Sequence, residues 1–180
     1  MKKLIIALAG HAGAGKDTFG KMLIDRFECL GKASQRYAFA DHLKDKAEEL
    51  GWNGVKDEKG RSLLQHLGDV MREYHGENYF AEYTANEIVR DEDVEVAVVT
   101  DLRYKQELEA LRKCAAETGN KLLTVRVVRN ENILSNTQGQ HSSENDLNEV
   151  SMDLIVINTG SLQDLFVTAS KLVDDLKYTI

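Results

Sequence analysis

The stretch LIIALAGHAGAGKDTFGKML, residues 4–23, constrains this chain more than any other. An unbroken apolar run, Leu4–Ala9, meets a helix-like segment across glycines at positions 10, 13 and 15. Apolar residues without alternation are the pattern of a strand covered on both faces, and such strands belong to parallel sheets. From Lys16 to about Leu30, the residues Phe19, Met22, Leu23 and Phe27 recur on one helical stripe, and Gly31 ends the segment. Between them, Gly10 to Lys16 fits G-x-x-x-x-G-K, the body of a phosphate-binding loop, or P-loop. Glycines let backbone N–H groups converge on one point without Cβ clashes, and the helix N-terminus adds its positive dipole end. Lys16 supplies a formal charge. A plain strand–helix turn seldom needs three glycines and a lysine at this spacing.

The rest of the chain repeats the strand–helix rhythm. Strands are predicted at Arg36–Ala40, Val94–Thr100, Lys121–Val128 and Leu154–Ile157, and helices from Asp41 (as cap) to Leu50, at Ser62–Tyr74, Asn78–Arg90, Gln106–Thr118 and Ser161–Leu176. Five strands separated by helices imply an α/β fold, a five-stranded parallel sheet with helices on both faces. The length of 180 residues suggests a single domain spanning residues 1–180. Two insertions interrupt it: a helical block at about 41–90, and a polar, lid-like loop at about 130–145. In the first, Leu63, Leu64, Leu67 and Met71 read as core. Proline is absent, so Gly, Asn, Asp and Ser must make every turn.

Composition excludes several classes. The net charge is −7 and no basic stripe occurs, which argues against a nucleic acid polymer as partner and leaves room for a small anion in a local cationic pocket. No apolar run approaches a membrane span. The start MKKLIIALAG imitates a signal peptide, but it passes straight into the glycine loop and is read as a buried strand. The two cysteines, Cys29 and Cys114, fall in predicted helices and are expected as free thiols in a reducing compartment. The five histidines show no metal-ligand spacing, so no zinc is expected.

The P-loop pattern calls for Ser or Thr after the lysine, and here Asp17 precedes Thr18. A carboxylate beside phosphate is repelled by about 4 kcal/mol per charge pair at ~4 Å and an effective dielectric of ~20. Asp17 must therefore face Mg²⁺ through water, an arginine or a second substrate, or else it only favours the helix N-terminus. No guanine-reading Asn-Lys-x-Asp motif is present. At the end of the third strand, Asp101 could hold magnesium-bound water or orient an arginine, and Arg103 could clamp a phosphate. Glu107 could accept from a sugar hydroxyl or brace Arg103. A capped helix start with an Arg–Glu pair is the plain alternative for these three. Arg103 is expected to pair with Asp17. In the insertion, Lys44, Gln65 and Arg72 are candidates for the acceptor, or solvated surface. Arg126 and Arg129 are the cations available on the lid side. Asn158-Thr159-Gly160 either packs on an adenine or serves as a helix cap.

The sequence GKDT, then FADHLK, LLQHLGDVMR, VVTDLRYKQELEALR, HSSE and NTGSLQDL, in this order, resembles the deoxynucleoside monophosphate kinases of bacteriophage and related bacterial sequences. The Asp-x-Arg run with a Glu four residues after the arginine, together with GKDT, carries most of the specificity. The resemblance implies a P-loop kinase fold with a helical acceptor-binding insertion and a short lid. It implies ATP and Mg²⁺ as cofactors, small nucleotides as partners, and the cytoplasm of a bacterium or a phage-infected host as location. Gly13, Ala14, Gly15, Lys16, Asp17 and Thr18 would hold the ATP phosphates, with Mg²⁺ reached through water from Thr18 and Asp101. Asp17, Arg72, Asp101, Arg103 and Glu107 would surround the monophosphate, and Arg129 would belong to the lid side. Lys16, Asp17, Asp101 and Arg129 would carry the transfer. Where the family often reads Arg-Phe-Pro-Asn-Glu, this chain has Arg103-Tyr104-Lys105-Gln106-Glu107, so the helix start is expected to differ. Kinases for other phosphorylated acceptors, of the dephospho-coenzyme A or phosphomevalonate type, and a non-catalytic ATP-binding regulator are the alternatives. Whether the chain forms a homodimer, and which bases or sugars it accepts, the sequence does not decide.

Overall fold

The computed structural model describes residues 2–129, 147 and 150–178. Eleven elements follow one another: β1 (Leu4–Ala9), α1 (Lys16–Cys29), β2 (Ser34–Tyr37), α2 (Asp41–Glu49), α3 (Glu58–His75), α4 (Tyr79–Arg90), β3 (Val96–Leu102), α5 (Lys105–Thr118), β4 (Lys121–Arg129), β5 (Leu154–Asn158) and α6 (Leu162–Leu176). All strand pairs are parallel, in the order β2-β3-β1-β4-β5. β1 lies at the centre, and its six residues are all buried, as its unbroken apolar run requires.

Side-chain alternation divides the core. Leu4, Ile6, Leu8, Val96, Val98, Val125 and Val127 face α1 and α6, where Phe19, Leu23, Phe27, Leu165 and Ala169 cover them. Ile5, Ala7, Tyr37, Ala97 and Val99 face the other way, against Ala85 and Ile88 of α4 and Leu108 and Leu111 of α5. The five-stranded sheet with helices on both faces is therefore the observed architecture. The lid-like loop expected at about 130–145 lies outside the described residues.

Several boundaries moved. β2 occupies Ser34–Tyr37, not Arg36–Ala40, because Asp101 draws Phe39 and Ala40 into a turn through their N–H groups, at 2.9 and 3.2 Å. α3 starts at Glu58, four residues before the expected Ser62, because Asp57 caps it by accepting from Gly60 N–H at 2.8 Å. Asp41 is not the cap of α2. It lies in the first turn and accepts from Arg36 and Lys44 instead. The stripe of α3 is not core either: Leu63 is exposed, and Leu64, Leu67 and Met71 are half-buried. α3 packs on α2 and α4, at the rim of the molecule, and a two-helix neighbourhood covers only part of its apolar face.

Candidate active site

The loop Gly10–Gly15 joins β1 to α1 at the carboxyl end of the sheet, where open parallel sheets bind ligands. Two of its glycines are required. A Cβ on Gly10 would stand 2.2 Å from the Val127 carbonyl oxygen, and one on Gly15, at φ +97°, would stand 2.6 Å from Asn158 Nδ2. Lys16 is almost wholly buried, and its ammonium donates to the carbonyls of Gly10 and His11 at 2.7 and 3.0 Å. That holds the charge over the loop.

Gly13, Gly15, Lys16, Asp17 and Thr18 line a cavity of about 360 Å³ with Arg129, Asn158, Gly160, Ser161 and Leu162. Arg129 reaches the loop directly, donating to Gly13 O at 3.4 Å. Ala14 is buried beside this cavity rather than lining it. Asn158 does not present its amide to a ligand. It is buried, donates to Ala14 O at 2.9 Å and accepts from Gly160 N–H at 2.9 Å, so it braces the loop from behind. Thr159 donates to Asp164 at 3.0 Å and stands outside the cavity, in the role of a cap-side residue. Of the two alternatives for this turn, adenine packing or a helix cap, these side-chain contacts belong to the cap and to loop support.

Arg126 and Arg129 do not share a side. Three residues apart on β4, they project to opposite faces of the sheet. Arg129 follows Val125 and Val127 toward α1, whereas Arg126 donates to the carbonyls of Leu147 and Val150 and secures the approach to β5. Burial lowers the pKa of its guanidinium. Arg126 and Arg103 line a separate cavity of about 130 Å³ with Gly10, His11 and Ala12.

The expected Asp17–Arg103 pair is not formed. Asp17, in the first turn of α1, makes no hydrogen bond or ion pair among the described residues. Its charge acts instead on Arg36, a residue without a motif in the sequence. Arg36 pairs with Val98 in register, which places it on the α1 face of the sheet. Its guanidinium donates to Asp41 at 2.7 and 3.5 Å, and Lys44 donates to the same carboxylate at 2.6 Å. Burial works against the charge on Arg36, but the hydrogen bond to Asp41 and the charges of Asp41, Asp101 and Asp17 together raise its pKa. The only signal available in the sequence was a lone arginine within a short strand.

Asp101 spends both carboxylate oxygens on the Phe39 and Ala40 N–H groups, which ties the end of β3 to the entrance of the helical insertion. Burial raises its pKa, and the two N–H groups oppose the rise. The metal-bound water expected there meets a carboxylate already engaged in anchoring a turn. Glu107 reaches back to the N–H groups of Arg103 and Tyr104, at 2.7 and 3.0 Å, and closes the first turn of α5 without a proline. Burial pushes its pKa up to about 7 against those two hydrogen bonds. Glu107, Tyr104 and Gln106 line a cavity of about 540 Å³ with Phe80, Asp69, Arg72, Glu73 and Glu77. Arg72 sits 5.4 Å over the Phe80 ring and 3.1 Å from Asp69. Gln65 is exposed on α3 and lines none of these cavities.

Among the described residues no group of three His, Cys, Asp or Glu side chains could hold a metal ion alone. Asp17 and Thr18 both line the P-loop cavity, and neither side chain makes a hydrogen bond among the described residues. They suit a hard cation that completes its shell with water and phosphate oxygens, which is how Mg²⁺ is held beside nucleotides. No helix among the described residues is long and apolar enough to cross a membrane.

Comparison with known proteins bears on the same features. A model of the deoxynucleotide monophosphate kinase family matches residues 49–169, two thirds of the chain. The chain belongs to that family. The match spans Arg72, Asp101, Arg103, Glu107, Arg126 and Arg129 but begins after the glycine loop, which the structure supplies independently. Among solved structures, the APS kinase CysC of Mycobacterium tuberculosis, in complex with AMPPNP and APS, is similar at a TM-score of 0.62 and 12% identity, over 98% of each chain. A Cys556Ala mutant of the same kinase is similar at a TM-score of 0.58 and 12% identity, again over 98% of each. At such identity the likeness is one of fold, a P-loop kinase fold. Comparison with curated proteins gives no match. Family and fold together make this deoxynucleotide monophosphate kinase family member a phosphotransferase with a nucleotide substrate.

Proposed function

We propose that the protein transfers the γ-phosphoryl group of ATP to deoxynucleoside monophosphates, giving deoxynucleoside diphosphates. The observation that carries this reading is the pairing of two cavities at the carboxyl end of one sheet. One is built on the P-loop, with Lys16 and Arg129. The other lies between α3, α4 and the start of α5, with Arg72, Phe80 and Glu107. A donor nucleotide fits the first, where backbone N–H groups and two cations meet its phosphates. The nucleoside end of the acceptor fits the second, because its carboxylates Asp69, Glu73 and Glu77 repel phosphate and its aromatic groups accept a base.

The chemistry asks little of the protein beyond position and charge. The second pKa of a phosphate monoester is near ~6, so the acceptor is already anionic and nucleophilic at neutral pH and needs no strong base. Thr18 and Asp17 would hold Mg²⁺, which would supply neutralisation of the phosphate charge. Lys16 follows the transferring group from the loop. Arg129, reaching the loop from β4, meets the charge on the donor side. Asp101 keeps the acceptor-binding insertion in register with the sheet end. Alignment of this kind accounts for most catalysis by such sites. Measuring ADP release with each common deoxynucleoside and nucleoside monophosphate is the test. Turnover confined to a dephospho-coenzyme A or phosphomevalonate type of acceptor, or ATP binding without turnover of any monophosphate, would refute the reading.

A further inference from the structure

Three carboxylates at the sheet end, Asp17, Asp41 and Asp101, surround one guanidinium that does not satisfy them all. Asp41 alone takes hydrogen bonds from Arg36 among the described residues, one from each terminal nitrogen. A guanidinium has five N–H donors, so Nε and one N–H on each terminal nitrogen stay unengaged. The side chain keeps 45% of its surface exposed. A planar fork with three spare donors, fixed by surrounding carboxylates, is prepared for an oxyanion.

The neighbouring charges decide which one. Lys44 shares the Asp41 carboxylate with Arg36, and Arg103 acts on Asp101, so a second and a third cation stand among the same carboxylates. Asp101 is further quieted by its two backbone N–H partners. The cavity at α3 and α5 is, by contrast, lined by Asp69, Glu73 and Glu77 against Arg72 alone, a balance that disfavours the phosphate end of an acceptor. Arg36 lies on the α1 face of the sheet and within the field of Asp17, which stands in the first turn of the helix that follows the phosphate-binding loop.

We propose that Arg36, steadied by Asp41 and seconded by Lys44, binds the phosphate of the incoming nucleoside monophosphate and presents it to the donor across Asp17. This deepens, and rests on, the kinase reading above. The charge of Asp17, on the loop side, favours the charged form of this arginine.

Steady-state kinetics with Arg36→Met, Arg36→Lys and Asp41→Asn test the proposal, with melting temperatures to confirm that each variant folds. Losing charged hydrogen bonds to a phosphate should raise the KM for the best monophosphate about 10- to 100-fold in Arg36→Met, with the KM for ATP within about twofold. Arg36→Lys should fall between, since it keeps the charge and loses the fork. Calorimetry with dAMP, dGMP, dCMP and dTMP, and with the four matching deoxynucleosides, should show the loss only for the phosphorylated ligands. An unchanged monophosphate KM in folded Arg36→Met, a parallel rise for ATP, or equal loss for the deoxynucleosides would overturn the proposal. So would an Asp41→Asn variant that reproduces the whole Arg36→Met defect, because Arg36 would then act only by holding Asp41. If the wild type binds monophosphates without phosphorylating any, and Arg36→Met abolishes that binding, the kinase reading fails and the phosphate clamp stands. A wild type that binds no monophosphate overturns both.

Discussion

Glu107 sets stability against pH in a direction opposite to that of most carboxylates. Its carboxyl ordinarily titrates near 4.5, and in the folded chain burial moves it to about 7. The native state therefore holds a proton that the unfolded chain has already released, and stability falls as pH rises between those values. The contribution is complete below about pH 4.5 and is lost as pH rises through about 7. Converted at 1.36 kcal/mol per pH unit, the interval is worth about 3 kcal/mol, and the partial exposure of Glu107 at the cavity reduces this to about 2–3 kcal/mol. Glu107→Gln isolates the effect. The amide oxygen still accepts from Arg103 and Tyr104 N–H, so the helix start survives, while the titration disappears. Urea unfolding of both proteins from pH 4.5 to pH 8 should show the variant gaining about 2–3 kcal/mol on the wild type over that range. A difference that stays flat with pH would mean that Glu107 is solvated like an ordinary surface carboxylate.

Lys16→Ala should keep the fold and lower kcat/KM by at least about 100-fold, from loss of a charge-assisted phosphate contact; near-normal turnover would remove the P-loop from the mechanism. Asn158→Ala leaves the Ala14 carbonyl and the Gly160 N–H without their buried partner, and should cost about 2–4 kcal/mol in denaturant unfolding while raising the KM for ATP. Asp17→Asn and Arg103→Lys should be additive in kcat/KM to within about 0.5 kcal/mol, since the two side chains are not paired; a coupling energy above about 1 kcal/mol would restore the pair expected from the sequence.

Much of the architecture is written in local patterns. The unbroken apolar run of β1, the glycines with Lys16 and the 3.6-residue stripe of α1 each follow from neighbours close in sequence, and together they require a parallel sheet with a phosphate-binding loop at its carboxyl end. The family, too, was legible in short motifs, and the match over residues 49–169 bears that out. Local pattern failed where a side chain's partner lies far along the chain. Asp101 reads as a free carboxylate at a strand end until the turn after β2 closes on it, 61 and 62 residues away in sequence. Asn158 reads as either an adenine contact or a helix cap until β5, paired beside β4, places it under Ala14, 144 residues away. Arg126 and Arg129 both read as cations available on the lid side, and the partners of Arg126, the carbonyls of Leu147 and Val150, appear only when the chain beyond β4 returns beside it. Arg36 carries no motif at all. It acquires a role only because strand order sets β2 beside β3, which brings its guanidinium within the fields of Asp17, Asp41 and Asp101. Backbone geometry is decided over a few residues and can be read from them, whereas the company a charge keeps is decided by the sheet.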